Sequence, residues 1–198
     1  MPEQIGPIDP SVKVAFAVLS DTHSDGTAVA VIAEMAAAGE IQGVVHLGDT
    51  EDPRWPDSIE KHVRVLAVAG NRDIRNAFLP DRTVFEAGGM RFAGVHGHIQ
   101  QVKSGLRALP ALADACAADV VLFGHTHRFS VERRRTPSGR SVTLLNPGAG
   151  FGFGRLPGAG FLILTVQAGE LRIRRILAAG EFPVDLDPTD PPGSPSMG

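Results

Sequence analysis

The sequence predicts an α/β fold in which two mixed β-sheets face each other and helices cover their outer sides. Two observations lead to this prediction. Apolar runs in the first part of the chain alternate with helical stretches, whereas those in the second part are joined as hairpins at Gly-rich turns. The composition, 43% hydrophobic and 21% charged over 198 residues, is typical of a single globular domain.

In the first part, β-branched and apolar runs predict strands over residues 12–19, 43–47 and 63–69. An Ala-rich stretch over 27–38 places Val29, Ile32 and Ala36 on one helical face and ends at Gly39, which predicts a helix. Residues 50–62, with two prolines and mixed charge, predict a loop with a short helix.

In the second part, residues 83–87 and 90–95 predict a hairpin around Gly88-Gly89. Residues 103–118 predict a helix, although Pro110 leaves its first turns undecided. A strand over 119–123 follows. Two further hairpins are predicted from residues 128–135 with 141–145 and from 158–167 with 171–177.

The domain organisation follows from composition. Residues 12–178 form one domain without internal repeats. Residues 1–11 hold three prolines and predict a flexible leader, and residues 179–198 hold five prolines and predict a disordered tail.

Charge and cysteine content exclude several classes of protein. The chain has 19 Lys and Arg against 22 Asp and Glu, a net charge of −3, which argues against a long nucleic acid as partner. One cysteine, Cys116, excludes a disulfide framework and a Cys-rich zinc module and favours a reducing compartment, so we expect a cytoplasmic protein. No signal peptide or membrane-spanning stretch is expected. A homo-oligomer remains open.

Polar residues with metal-binding side chains follow the ends of predicted strands, where open α/β sheets bind ligands. Asp21 and His23 are two residues apart and share a face if the extended conformation continues, and His125 and His127 repeat that spacing. The full set is Asp21, His23, Asp49, Asn71, His96, His125 and His127.

This donor set is too large for one tetrahedral zinc ion and suits two ions that share a carboxylate. Mixed nitrogen and oxygen donors favour Mn, Fe, Co, Ni or Zn over Ca or Mg. We expect two divalent transition-metal ions, Mn first, with Ni, Fe, Zn and Co as alternatives. Two such ions supply the positive charge that lets an acidic protein hold a phosphate.

The motifs Asp21-x-His23, Gly48-Asp49, Gly70-Asn71-x-Asp73, His96-Gly97-His98 and Gly124-His125-x-His127 resemble those of the calcineurin-like metallophosphoesterase superfamily. The short chain and the hairpin-rich second half are similar to its small bacterial and archaeal phosphodiesterase branch, which includes the retromer subunit of the same fold. The resemblance implies a four-layer α/β/β/α sandwich.

The resemblance also implies a role for each motif residue. Asp21, His23 and His127 would hold one metal ion. Asn71, His96 and His125 would hold the second, and Asp49 would bridge the two. Asn146-Pro147-Gly148 resembles the branch's Asn-Pro-Gly-Ser, with Ala149 in place of the serine.

Four further residues, together with Asn71 in a second role, are candidates for catalysis or substrate binding. Arg72 replaces the histidine that larger phosphatases carry as a proposed general acid, so it either binds phosphate or pairs with an acid. Asp73 would orient Arg72 or a metal ligand. His98 would protonate the leaving group, or is a polar turn residue. Asn71 and Arg155, the latter in a Gly-rich stretch, would contact substrate.

The sequence therefore predicts a phosphoesterase that depends on two metal ions, most specifically a phosphodiesterase acting on small phosphate esters by a metal-bridging hydroxide. The alternative is a metal-binding interaction module of the same fold with weak or no catalysis. The net charge and the lack of a capping domain argue against a nuclease, although a short oligonucleotide stays open as a substrate.

Overall fold

The structure is a computed structural model that describes residues 3–73, 78–150, 158–177 and 180–184. Two α-helices are present in these ranges, α1 (Thr27–Ala37) and α2 (Ala108–Cys116), with 3₁₀ turns at Trp55–Ser58 and Val102–Ser104. The strands are β1 (Glu3–Gln4), β2 (Val14–Leu19), β3 (Gly43–His46), β4 (Arg64–Ala67), β5 (Arg82–Ala87), β6 (Met90–Val95), β7 (Val120–Phe123), β8 (Phe129–Arg135), β9 (Ser141–Pro147), β10 (Gly160–Gln167), β11 (Glu170–Leu177) and β12 (Gly180–Val184).

The strands form two six-stranded mixed sheets, in the orders β12-β11-β10-β2-β3-β4 and β1-β5-β6-β7-β9-β8. A core that includes Phe16, Phe85 and Phe92 fills the space between the sheets. Helix α1 packs on the outer side of the first sheet through Ile32, and α2 packs on the outer side of the second through Leu109. The predicted four-layer α/β/β/α sandwich is confirmed.

Strand β2 shows why the sheets are covered on both sides. All six of its residues are buried. Phe16 and Val18 point into the core between the sheets, whereas Ala15 and Ala17 pack toward α1. The alternation of large and small residues lets the helix lie close to the sheet, and burial on both faces explains the continuous apolar run.

Two sets of parallel strands bring the motif residues to one edge of the sandwich. Strands β2, β3 and β4 are parallel neighbours in the first sheet, and β6, β7 and β9 are parallel neighbours in the second. The residues that follow β2, β3 and β4 therefore face those that follow β6 and β7.

Both chain ends depart from the sequence-based expectation. Residues 3–4, expected in a flexible leader, form β1 beside β5, and Ile5 is fully buried in the core. Residues 180–184, expected in a disordered tail, form β12 against β11. In both places the open edge of a sheet supplies backbone partners that a local sequence pattern does not reveal. Pro183 is tolerated because β12 is an edge strand. Residues 185–198 lie outside the described ranges.

The helix predicted over 103–118 is also wrong in its first half. A 3₁₀ turn covers Val102–Ser104, and α2 begins only at Ala108. Gly105, with φ of 134°, separates the two. Pro110 is the third residue of α2, where its missing N–H has no partner within the helix in any case. Neither α-helix of the described residues is long and apolar enough to cross a membrane.

Candidate metal centre

Six of the seven predicted ligands lie together in two groups of three. Within each group, the candidate donor atoms are within 4.8 Å of one another. One group is Asp21, His23 and His127, and the other is Asp49, His96 and His125. These residues follow β2, β3, β6 and β7, so the site is assembled from both sheets.

His96 lies at the centre of the second group. Its Nε2 atom is 3.1 Å from His125 Nδ1, 3.2 Å from Asn71 Oδ1 and 3.5 Å from Asp49 Oδ2. The same nitrogen is 4.0 Å from Asp21 Oδ1, which belongs to the first group. The two groups therefore adjoin, and Asn71 joins the second one as the sequence predicts.

The surroundings of His96 show that this arrangement fits a cation. His96 Nδ1 lies 2.7 Å from the carbonyl oxygen of Leu47, which can only accept, so a neutral ring has its single N–H on Nδ1. Nε2 is left with a lone pair that faces Asp49 Oδ2, an atom that can only accept. With both side chains almost fully buried, these two lone pairs repel unless a positive charge lies between them.

The first group has a similar construction. Asp21 Oδ2 accepts hydrogen bonds from Ser20 Oγ at 2.6 Å and from the backbone N–H of His125 at 3.0 Å. Asp21 Oδ1 lies 3.1 Å from His127 Nε2. His23 Nδ1 lies 2.9 Å from Glu51 Oε1, which orients the imidazole ring. Each group thus combines imidazole and carboxylate donors, the set that divalent transition metals prefer.

Electrostatics keep these donors in the forms that bind metal. Burial would raise the pKa of Asp21, but the hydrogen bonds with the His127 side chain and the Ser20 hydroxyl outweigh it and hold the pKa below its ordinary value. Burial, reinforced by the positive charge of Lys103, lowers the pKa of His125 to about 4. Near neutral pH this carboxylate is ionised and this imidazole is uncharged.

The backbone at the ligands corrects one step of the sequence analysis. Asp21 and His23 would share a face if the strand stayed extended, but that condition is not met, since they have φ of 54° and 46°. Asp49, His125 and His127 also have positive φ. Left-handed conformations are uncommon for residues other than glycine and concentrate at functional sites. The ligand side chains converge because the chain turns sharply after each strand.

Asp73 holds one of these turns rather than facing substrate. Its Oδ1 accepts from the backbone N–H groups of Thr50 and Glu51, and its Oδ2 accepts from those of Asp49 and Gly70. Burial opposes ionisation, but the backbone hydrogen bonds outweigh it and keep the pKa of Asp73 below its ordinary value. Asp73 is therefore a positioning residue for the loop that carries Asp49.

Two motif glycines are required by close approach. A Cβ on Gly70 would lie 2.1 Å from Asp49 Oδ1, and a Cβ on Gly124 would lie 1.9 Å from Ser20 Oγ and 2.9 Å from Asp21 Oδ2. Asn146 supports the same region, since its Nδ2 donates to the carbonyl oxygen of Gly124 at 2.9 Å. These contacts fix the backbone that carries His125 and His127.

The ligands line a cleft of about 550 Å³. Among the described residues its walls are His23, Asp49, Glu51, Asn71, Arg72, Lys103, His125 and His127. The sequence analysis missed Glu51 and Lys103. Glu51 lies two residues after Asp49, a spacing that could have revealed it, whereas Lys103 follows no motif.

The remaining candidates are placed differently. Arg72 lines the cleft, but its guanidinium Nε is paired with Glu51 Oε1, the second of the two roles expected for it. The His98 ring lies 5.3 Å from that of His96 and 6.2 Å from that of His125, and it is not among the cleft-lining residues. Arg155 lies outside the described residues.

The sequence is similar to known metallophosphoesterases. It is 30% identical over 136 residues to a probable metallophosphoesterase of Methanocaldococcus jannaschii. This match covers 67% of this chain and 66% of the archaeal protein, so the chain spans just under two thirds of that protein's length. It is 28% identical over 173 residues to a probable metallophosphoesterase of Bacillus subtilis, covering 85% of this chain and 94% of that one.

Solved structures show the same fold. A predicted phosphoesterase from Streptococcus pneumoniae superposes with a TM-score of 0.66 at 23% identity, over 87% of this chain and 99% of that one. Vps29 from Entamoeba histolytica in complex with Zn²⁺ has a TM-score of 0.62 at 22% identity, over 89% and 95%. An archaeal phosphodiesterase has a TM-score of 0.60 at 23% identity, over 86% and 100%.

The family model described as the calcineurin-like phosphoesterase superfamily domain matches residues 14–169, which contain both groups of candidate ligands. The chain belongs to this superfamily of metal-dependent phosphoesterases.

Proposed function

We propose that the protein is a dinuclear-metal-dependent phosphodiesterase that hydrolyses small phosphate esters. The observation that carries this proposal is the pair of adjoining donor groups, Asp21 with His23 and His127, and Asp49 with His96 and His125. Members of both groups line one cleft, so a substrate in the cleft would lie against both.

The donor set assigns the residues that would hold the ions. Asp21, His23 and His127 would bind one divalent transition metal. Asn71, His96 and His125 would bind the other, with Asp49 between them. When bound, such ions supply Lewis-acid charge for the phosphate oxygens and lower the pKa of a water that serves as nucleophile. We propose Mn first, with Ni, Fe, Zn and Co as alternatives.

The protein's own groups orient the site. The Leu47 carbonyl oxygen fixes the His96 ring, and Glu51 fixes that of His23. Asn71 presents its side-chain amide at the cleft wall and would contact a phosphate oxygen. Burial lowers the pKa of His98, which makes its imidazolium form a stronger acid, and in that form it would protonate the departing oxygen.

Two considerations favour small diesters as substrates. The cleft, about 550 Å³, has the size of a small-molecule site. One of the similar folds is that of an archaeal phosphodiesterase, which supports the diester preference. We also propose a cytoplasmic location, with no membrane or long nucleic acid as partner. Oligomeric state stays a prediction for sedimentation analysis.

The test is metal content and activity on the same samples. We expect apoprotein reconstituted with Mn to bind about two ions per chain and to hydrolyse bis(p-nitrophenyl) phosphate. Asp49→Asn should lose metal and activity together, because it removes a carboxylate that faces His96. Asp57→Asn is the matched control, since Asp57 is exposed and lies outside the cleft.

The same experiment separates the alternative function. A metal-binding interaction module would bind the ions and leave both mono- and diester chromogenic substrates intact with every metal offered. That result would overturn the proposed activity.

A further inference from the structure

Two cationic side chains, Arg72 and Lys103, line the described part of the cleft beside the candidate ligands. The metal ions already supply positive charge for the phosphate that is hydrolysed. These two cations therefore raise the question of what further negative charge the cleft accommodates.

The charge of Arg72 is already balanced. Its guanidinium is paired with the carboxylate of Glu51, which also accepts from His23 at 2.9 Å. Arg72 is thereby held within the protein's own hydrogen-bond network.

Lys103 differs from Arg72 in this respect. Within residues 3–73, 78–150, 158–177 and 180–184 its ammonium group makes no hydrogen bond and no ion pair. Its position is nevertheless defined, since it belongs to the 3₁₀ turn Val102–Ser104, whose Val102 side chain is buried. The backbone N–H of Ser104 closes the turn on the carbonyl oxygen of Gln101 at 2.8 Å.

We propose that Lys103 is a specificity-determining residue that binds a second negatively charged group of the substrate, a carboxylate or phosphate on the ester group that is not cleaved. This inference rests on the proposed function and names its substrate class.

The charge of the uncleaved ester group explains the expected substrate preference. If the uncleaved ester group is neutral, the Lys103 ammonium stays in water and adds nothing to binding. If that group is anionic, its charge lies beside the Lys103 ammonium, which has no partner among the described residues. A lysine is a flexible point charge and binds carboxylate or phosphate alike, so the charge of the group matters more than its shape.

The test uses two diesters that differ only in that charge. One is p-nitrophenyl phenyl phosphate, and the other carries a carboxylate at the para position of the phenyl ring. Both release p-nitrophenolate. For Mn-loaded protein we expect Lys103→Met to lower kcat/KM of the carboxylated ester by about three- to fivefold, and that of the uncharged ester by less than about 1.5-fold. Lys61→Met, at an exposed lysine outside the cleft, is the control.

Binding supplies a readout that does not need turnover. Calorimetry would compare 3-phosphonopropionate with propylphosphonate, in which a methyl group replaces the carboxylate. We expect Lys103→Met to weaken only 3-phosphonopropionate, and added salt to reduce the difference in the wild type.

The outcomes distinguish the two levels of the proposal. If Lys103→Met affects both members of each pair equally, or affects neither, the proposed subsite for an anionic group is overturned. The proposed esterase activity is not contradicted by that result. If the wild type hydrolyses neither diester, the proposed function fails. Selective weakening of 3-phosphonopropionate would then still support the subsite.

Discussion

Acidification should destabilise the protein in part through the buried histidine His46. Its side chain is fully buried beside the Trp55 ring, with the centroids 4.7 Å apart. Its Nδ1 accepts the backbone N–H of Gly48 at 3.1 Å, so the ring proton is on Nε2, which donates to Thr22 Oγ1 at 3.0 Å. A second proton would have to sit on Nδ1 and face the N–H of Gly48.

The magnitude follows from the pKa of His46, which burial lowers from 6.5 to about 4. Between these values the unfolded chain binds a proton that the folded protein does not, so this contribution to stability is lost as the pH falls from 6.5 toward 4. The linkage relation gives a loss of about 2 kcal/mol at about pH 5 and about 3 kcal/mol at still lower pH.

The assay is urea unfolding of wild type and His46→Gln, both treated with chelator so that metal release does not contribute. Glutamine can still accept from Gly48 but does not titrate. The pH-dependent contribution of residue 46 is thus present only in the wild type, and titrating groups shared by both proteins cancel in the difference. We expect the stability difference between the two proteins to shrink by about 2 kcal/mol between about pH 7.5 and about pH 5.

A difference that is the same at both pH values would refute this reasoning, because it would mean that His46 has the same pKa folded and unfolded. His62→Gln is the matched control. His62 is exposed, so its replacement controls for the exchange of histidine for glutamine away from the buried core.

Two further predictions concern positioning and proton transfer. Asp73→Asn should lower the free energy of unfolding in urea by about 2–3 kcal/mol, because an oxygen that accepts backbone N–H groups of the Asp49 loop becomes an NH₂ group. It should also weaken metal binding about tenfold or more by calorimetry. Unchanged stability would contradict the role of Asp73 in holding this loop. His98→Gln should lower kcat roughly 100-fold for diesters with alkyl leaving groups and leave p-nitrophenyl esters nearly unaffected; a uniform decrease would assign His98 to binding instead.

The fold and the ligand set could be predicted because both leave local signals. Buried strands such as β2 give continuous apolar runs, and each motif follows the end of such a run. The order of parallel strands then places Asp21, Asp49, His96 and His125 at one edge of the sandwich.

The parts that could not be predicted depend on contacts distant in sequence. Strand β1 forms because Ile5 enters the core beside β5, and β12 forms because β11 offers an open edge. Lys103 lines the cleft from a 3₁₀ turn that ends at Gly105, where the sequence predicted a continuous helix. The sharp turn at Asp21 depends in part on a hydrogen bond between its N–H and the carbonyl oxygen of Gly48, in a neighbouring loop.

These turns also bear on when the site is formed. Five candidate ligands have positive φ, a conformation that costs each of them on the order of 1 kcal/mol or more. The hydrogen bonds that offset this cost come from the protein itself, including the backbone contacts of Asp73 and the support of Gly124 by Asn146. The loops thus have their shape from folding rather than from metal. Metal binding should therefore add to stability by mass action, with a folded metal-free protein as its starting point.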